Sequence, residues 1–186
     1  MCHKLHLVGE PLSAQYDQAS DMKLIFLDFD GVCTSTLETP GSYLNHTQEE
    51  YGPSVSCVSR LVKLCNDTDA KVIISSNWRK FEDDGKWSFN GTPVQNPLPT
   101  LKKMLKGYCI GSLPPNRHMN KSSVLLSWLD VHINEVDSFV VLDDCLSEGF
   151  QSVADYGICY KFVHTDAKTG LTDADCEKAY NILMKG

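Results

Sequence analysis

Three short apolar runs punctuate the chain, and each one ends in polar residues. Lys23-Leu24-Ile25-Phe26-Leu27 runs into Asp28, Lys71-Val72-Ile73-Ile74 into Ser75-Ser76-Asn77, and Ser138-Phe139-Val140-Val141-Leu142 into Asp143-Asp144. Runs of about four to eight such residues, closed by turn residues, suit strands buried on both faces. Sheets of that kind are usually parallel. Gly157 to Val163 predicts a fourth strand. Between the strands the period changes. Val55, Val58, Leu61, Val62 and Cys65 are spaced by three and four, which predicts a helix over Ser54–Cys65. Val124, Leu125, Trp128 and Leu129 predict a second helix over Ser122–Leu129, opened by Lys121 and two serines. A closing helix is expected over Asp173–Met184, with Thr172 as its N-cap. Strands alternating with helices predict an α/β fold: a three-layer Rossmann-like sandwich around a mainly parallel sheet, with right-handed crossovers.

Two stretches break the alternation. Residues 33–53 carry Pro, Gly, Thr and Asn and read as a loop or minimal cap. Residues 80–120 hold Pro93, Pro97, Pro99, Pro114 and Pro115, with one helix expected over Leu98–Leu105. Met22 directly precedes the first strand, so residues 1–21 are read as an N-terminal extension and 22–186 as one domain.

Composition narrows the function. The 186 residues are 42% hydrophobic, and with the 12 glycines about 48%, an ordinary globular value that argues against a disordered tail, a collagen or a coiled coil. No run of about 18 apolar residues occurs, and the first residues lack the apolar stretch of a secretory signal, so a cytoplasmic protein is expected, with no membrane partner. The eight cysteines form no C-x-x-C pair, which speaks against a zinc ribbon and, with no secretory signal, for reduced thiols. With 24 acidic against 17 basic residues the net charge is −7, so a broadly basic nucleic-acid face is excluded. A small basic path around Lys102, Lys103, Lys106 and Arg117 remains open.

The chemistry lies where the strands end, because open α/β sheets bind ligands at their carboxyl edge. Asp28-Phe29-Asp30-Gly31, Ser75 and Asp143-Asp144 all follow strands, and Lys121 opens the helix before the third. Four carboxylates at one edge repel one another, and burial worsens this. A divalent cation relieves it, and hard oxygen donors beside a phosphate suit Mg²⁺.

Asp28-Phe29-Asp30-Gly31-Val32 resembles the first motif of the haloacid dehalogenase-like (HAD) superfamily, most of whose members are Mg²⁺-dependent phosphohydrolases. Ser75 resembles its second motif, Lys121 its third and Asp143-Asp144 its fourth, in family order over residues 22–186. Ser75-Ser76-Asn77-Trp78-Arg79 and Thr165-Asp166 with Gly170-Leu171-Thr172 further resemble a compact HAD domain associated with RNA-repair proteins.

The resemblance implies a phosphomonoester hydrolase with an aspartyl-phosphate intermediate. Asp28 is then the nucleophile and Asp30 the general acid and base. Ser75 bonds the phosphoryl group and Lys121 offsets its charge. Gly31, Ser76, Asn77 and Arg79 are expected at the substrate, with the Gly31 turn leaving backbone amides open to phosphate. Asp28, Asp143 and the backbone carbonyl of Asp30 are expected to hold Mg²⁺. Asp144 binds it directly, binds it through water, or orients Lys121. Trp78 reads first as core packing, and Cys33 as a bystander.

Other readings fail on spacing. An EF-hand needs Gly and Glu where Cys33 and Thr39 stand. A receiver domain places its acidic pair first rather than last, and no phosphate-binding P-loop occurs. Neither irregular stretch is long enough for a full cap domain, so an open site and a bulky substrate are expected, with a 3′-phosphorylated nucleic-acid end as first choice. The alternatives are a nucleotide or small phosphometabolite, or a catalytically silent binding module.

Overall fold

The structure, a computed structural model, describes residues 22–38, 52–81, 87–89, 92–94, 96–116 and 118–185. Strands β1 (Met22–Leu27), β2 (Lys71–Ile74), β5 (Cys109–Ser112), β6 (Val136–Asp143) and β7 (Phe162–His164) form one sheet in the order β5-β2-β1-β6-β7. Every pairing in it is parallel. β3 (Trp87–Phe89) and β4 (Thr92–Val94) make a separate antiparallel hairpin. The expected α/β sandwich is present.

The layers follow from the strand period of two. Ile25, Leu27, Val72, Ile74, Val140 and Leu142 face one side and share a core with helices α1 (Val55–Thr68), α2 (Leu98–Met104) and α4 (Asp173–Lys185). Leu24, Phe26, Ile73, Phe139 and Val141 face the other, against α3 (Lys121–His132) and the 3₁₀ turns that carry Phe150 and Ile158. Both faces of the central strands are covered, as their unbroken apolar runs require.

The helices start where their caps are. Ser54 accepts from the Cys57 amide at the head of α1, and Asn120 accepts from Ser123 at the head of α3. Thr172 takes the same role for α4, its hydroxyl accepting from the Asp175 amide at 3.2 Å while Asp175 Oδ2 accepts back from Thr172. Asp69, in the left-handed region at φ 57°, ends α1.

Two expectations change. The fourth predicted strand, 157–163, is a strand only over Phe162–His164; residues Asp155–Tyr160 form 3₁₀ turns. Tyr156 and Gly157 at φ 54° and 68° turn the chain out of the extended region. The edge strand β5 is one the periodicity does not announce. Its four residues, Cys-Ile-Gly-Ser, are all only half-buried.

The extension at 1–21, most of the expected cap (39–51), and Arg117 lie outside the described residues. The seven described cysteines are free thiols. No helix among the described residues is long and apolar enough to cross a membrane.

Candidate active site

The strand order reverses between β2-β1 and β6-β7, and the site sits at that reversal. Leu27 is in register with Ile74 on one side and Leu142 on the other. The next residues, Asp28, Ser75 and Asp143, therefore stand in one row at the carboxyl edge. The ladder continues through them: the Asp28 amide donates to the Leu142 carbonyl at 2.9 Å, and the Ser75 amide to the Leu27 carbonyl at 2.7 Å. Their side chains fall on the α3 face, opposite to Leu27, Ile74 and Leu142.

Lys121 reaches into that row from the first turn of α3. Its Nζ donates to Asp28 Oδ2 at 2.6 Å and to Asp143 Oδ2 at 2.8 Å, and all three residues are buried. Burial works against the ammonium charge, but Asp28 and Asp143 outweigh it and hold the lysine above its usual range. The lysine is charged at any physiological pH.

The acids far outnumber that one cation. Asp28, Asp143 and Asp144 each bring a carboxylate oxygen to within 4.8 Å of the others. Burial, then the charge of Asp28, push Asp143 up to about 7. The same two causes raise Asp144. Asp30 is also lifted to about 7, by burial first and Asp28 second, against a hydrogen bond from Trp78 that lowers it. In this row two buried atoms, Asp28 Oδ1 and Ser75 Oγ, have no hydrogen-bond partner among the described residues. Orphaned buried polar atoms are costly, and a catalytic role or a bound ion is among the reasons native structures keep them.

Gly31 is required at its position. Its φ is 63°, and a Cβ there would collide with the carboxyl of Asp144. Its carbonyl accepts from Thr165 Oγ1 at 2.8 Å, which ties the loop after β1 to the end of β7.

Several residues expected at the substrate turn inward instead. The Gly31 amide donates to Thr34 Oγ1 at 2.9 Å and is not open to phosphate. Ser76 is fully buried, and its hydroxyl accepts from the Trp78 amide. Arg79 is buried too; its Nη1 donates to the carbonyls of Ser75 and Ser76, and its Nε to that of Pro114. The guanidinium thus braces the turn after β2 through Nε and Nη1. Asn77 Nδ2 donates to Glu148 Oε1 at 3.1 Å.

Two contributors carried no local signal in the sequence. Glu148 uses its second oxygen to accept the Lys121 backbone amide at 2.6 Å, so it ties the head of α3 to Asn77. Trp78, read as core packing, is indeed buried, but its indole N–H also donates to Asp30 Oδ2 at 2.8 Å. Both are long-range pairings, which no spacing rule announces. Cys33 remains beside the site, its thiol donating to the Asp28 carbonyl; burial, then Cys57, push it far above reactive range.

A nucleophile-sized carboxylate with one bare oxygen, a bare hydroxyl beside it, a fixed cation and an acid cluster are together suited to receiving a phosphoryl group and a divalent ion. The model of one family, described as the HAD domain in Swiss Army Knife RNA repair proteins, matches residues 24–176. No curated protein and no solved structure matches significantly.

Proposed function

Because the chain belongs to the family of HAD domains in Swiss Army Knife RNA repair proteins, we propose that it is a Mg²⁺-dependent phosphomonoester hydrolase working through an aspartyl-phosphate. One observation carries this reading. Asp28 is buried with Oδ2 held by Lys121, while Oδ1 has no hydrogen-bond partner among the described residues, next to the equally bare Ser75 hydroxyl.

The residues fit a magnesium ion. Asp28, Asp143 and Asp144 offer three hard oxygens within 4.8 Å of one another, a little wider than twice the Mg–O distance of about 2.1 Å. Asp30 would add its backbone carbonyl. Burial first, and the charge of Asp28 second, raise the Asp143 and Asp144 carboxyls against the pull of Lys121, and a cation bound between them would favour their ionised forms. When bound, the ion supplies positive charge against the phosphoryl oxygens.

The chain's own groups then account for the chemistry. Asp28 Oδ1 forms a bond to phosphorus while the ester P–O bond breaks, and Asp30 gives its proton to the departing oxygen. Ser75 donates to a phosphoryl oxygen, and Lys121 offsets the charge of the row. Asp30, now ionised, takes a proton from water as that water attacks phosphorus. The acyl–phosphate bond breaks, inorganic phosphate leaves, and Asp28 is restored.

A 3′-phosphorylated nucleic-acid end is the substrate this reading favours, on the strength of the RNA-repair family. Phosphate release from 3′-phosphorylated oligonucleotides, free nucleotides and small sugar phosphates, measured with Mg²⁺, tests it. Faster turnover of the nucleotides or sugar phosphates would assign the site to a small phosphometabolite. Asp28→Asn should abolish release from p-nitrophenyl phosphate without disturbing the fold, and acid-quenched wild type should carry one phosphoryl group at Asp28. A wild type that is inert with Mg²⁺ on the whole panel would make the chain a silent binding module.

A further inference from the structure

Trp78 sits in the 3₁₀ turn that follows β2, with its ring in the core that also holds Leu98 and Leu101. A buried indole needs a partner for its N–H. Here the partner is Oδ2 of Asp30, 2.8 Å away and 48 residues earlier in the chain. The donor is firmly placed. The Trp78 amide donates to Ser76 Oγ at 3.4 Å, its carbonyl accepts from Asn96 Nδ2 at 3.3 Å, and the ring is locked by burial. The acceptor is different in kind, because an aspartate's carboxyl torsion is broad and two-fold. Nothing in the covalent structure of Asp30 sets the plane of its carboxyl.

We infer that Trp78 is a positioning residue for proton transfer: its indole N–H grips Oδ2 of Asp30, sets the plane of the carboxyl, and assigns the moving proton to Oδ1. This rests on the phosphatase reading above. In the first half-reaction the Oδ1–H bond breaks and the proton goes to the leaving ester oxygen. In the second, Oδ1 takes a proton from the attacking water. Both need the carboxyl within hydrogen-bond reach of a defined point, and small misplacements of such groups are expensive in rate.

The experiment separates positioning from packing by leaving group. p-Nitrophenolate departs with little help from an acid; an alkoxide such as that of glycerol 2-phosphate does not. Two variants remove the N–H: Trp78→Phe, and a benzothienylalanine placed at 78, which keeps the bicyclic shape with sulfur in place of N–H. For each, the first-turnover burst is measured with both substrates, alongside circular dichroism. The burst with p-nitrophenyl phosphate should stay within about threefold of wild type, and that with the alkyl ester should fall about 10- to 100-fold, a part of what a general acid contributes. Phosphorylated Asp28 should also accumulate with the aryl ester, because its hydrolysis still needs Asp30. Equal losses on both esters would mean that the ring only fills the core, and unchanged bursts in the sulfur isostere would mean that the bond is idle; either overturns the inference and leaves the phosphatase reading standing. An inert wild type overturns both.

Discussion

Lys121 is the residue on which the site's stability and its chemistry meet. Removing a buried ammonium from between two carboxylates leaves Asp28 and Asp143 facing each other with no compensating charge. Lys121→Met, similar in length, should therefore cost about 3–5 kcal/mol in denaturant unfolding. Mg²⁺ should recover more stability in that variant than in wild type; no difference between the two would mean that the ion does not bind this row. The raised acids make a second prediction. Asp30 and Asp143 titrate near 7 in the folded chain, against 3.8 for an ordinary aspartate. Between those values the folded chain holds protons that the unfolded chain has released. Their contribution to stability is complete below pH 4 or so and drains away as pH rises through about 7. A divalent cation takes over the protons' role, so the Mg²⁺-induced rise in Tm should be small near pH 5 and larger near pH 8. Scanning calorimetry at the two pH values decides it, and equal shifts would count against a cation on these carboxylates.

At the scale of elements, the site is a consequence of register. Asp28, Ser75 and Asp143 share a row only because Leu27 pairs with both Ile74 and Leu142. Slipping one strand by one residue would send its acid to the α1 side, away from Lys121. The remaining freedom is that of α3 against the sheet, and Glu148 restrains it by joining the Lys121 amide to Asn77. Glu148→Ala should cost about 1–3 kcal/mol, because a partly buried amide and a carboxamide lose their acceptor. Turnover should fall while the Mg²⁺-induced Tm rise persists, since the acid row is untouched; a variant with wild-type kcat would remove Glu148 from the positioning of Lys121. The sequence makes β1, β2 and β6 legible because central strands covered on both faces must be unbroken apolar runs. β5 escapes notice because an edge strand of four half-buried residues, one of them glycine, needs no such run. The same logic applies to the site. Asp28, Ser75, Lys121 and Asp143 are legible from their places at strand and helix ends. The bonds from Trp78 to Asp30 and from Glu148 to Lys121 are not, because they join residues distant in the chain. Arg79 is hard to read for a related reason: a cation beside a strand end suggests an anion, and its bonds to three backbone carbonyls carry no mark in the sequence.

For the molecule as a whole, topology and charge together limit how a nucleic-acid end could be held. Side-chain alternation places the Asp28–Ser75–Asp143 row on the α3 side, while Asp30, through Trp78, is joined to the other core. Helix α2, which bears Lys102 and Lys103, packs into the core on the opposite face with α1 and α4. The net charge of −7 adds a repulsive field for any polyanion. On the proposed reading the acid row with Lys121 would hold the terminal phosphate, and the described residues around that row offer no long cationic track for the strand behind it. That makes salt the discriminating variable. Each phosphate neutralised on a single strand contributes about −0.7 to the slope of log affinity against log salt. With only one or two phosphates engaged, kcat/KM for a 3′-phosphorylated oligonucleotide should fall with a slope of about −0.7 to −1.4 between roughly 50 and 200 mM KCl at fixed Mg²⁺. A 3′-mononucleotide should show nearly the same slope, since both present the same terminal group to the same row. Lengthening the oligonucleotide should then leave kcat/KM almost unchanged. A slope steeper than about −3, or a steady gain in kcat/KM with length, would require several further phosphate contacts and therefore a basic surface beyond the Asp28–Lys121 row.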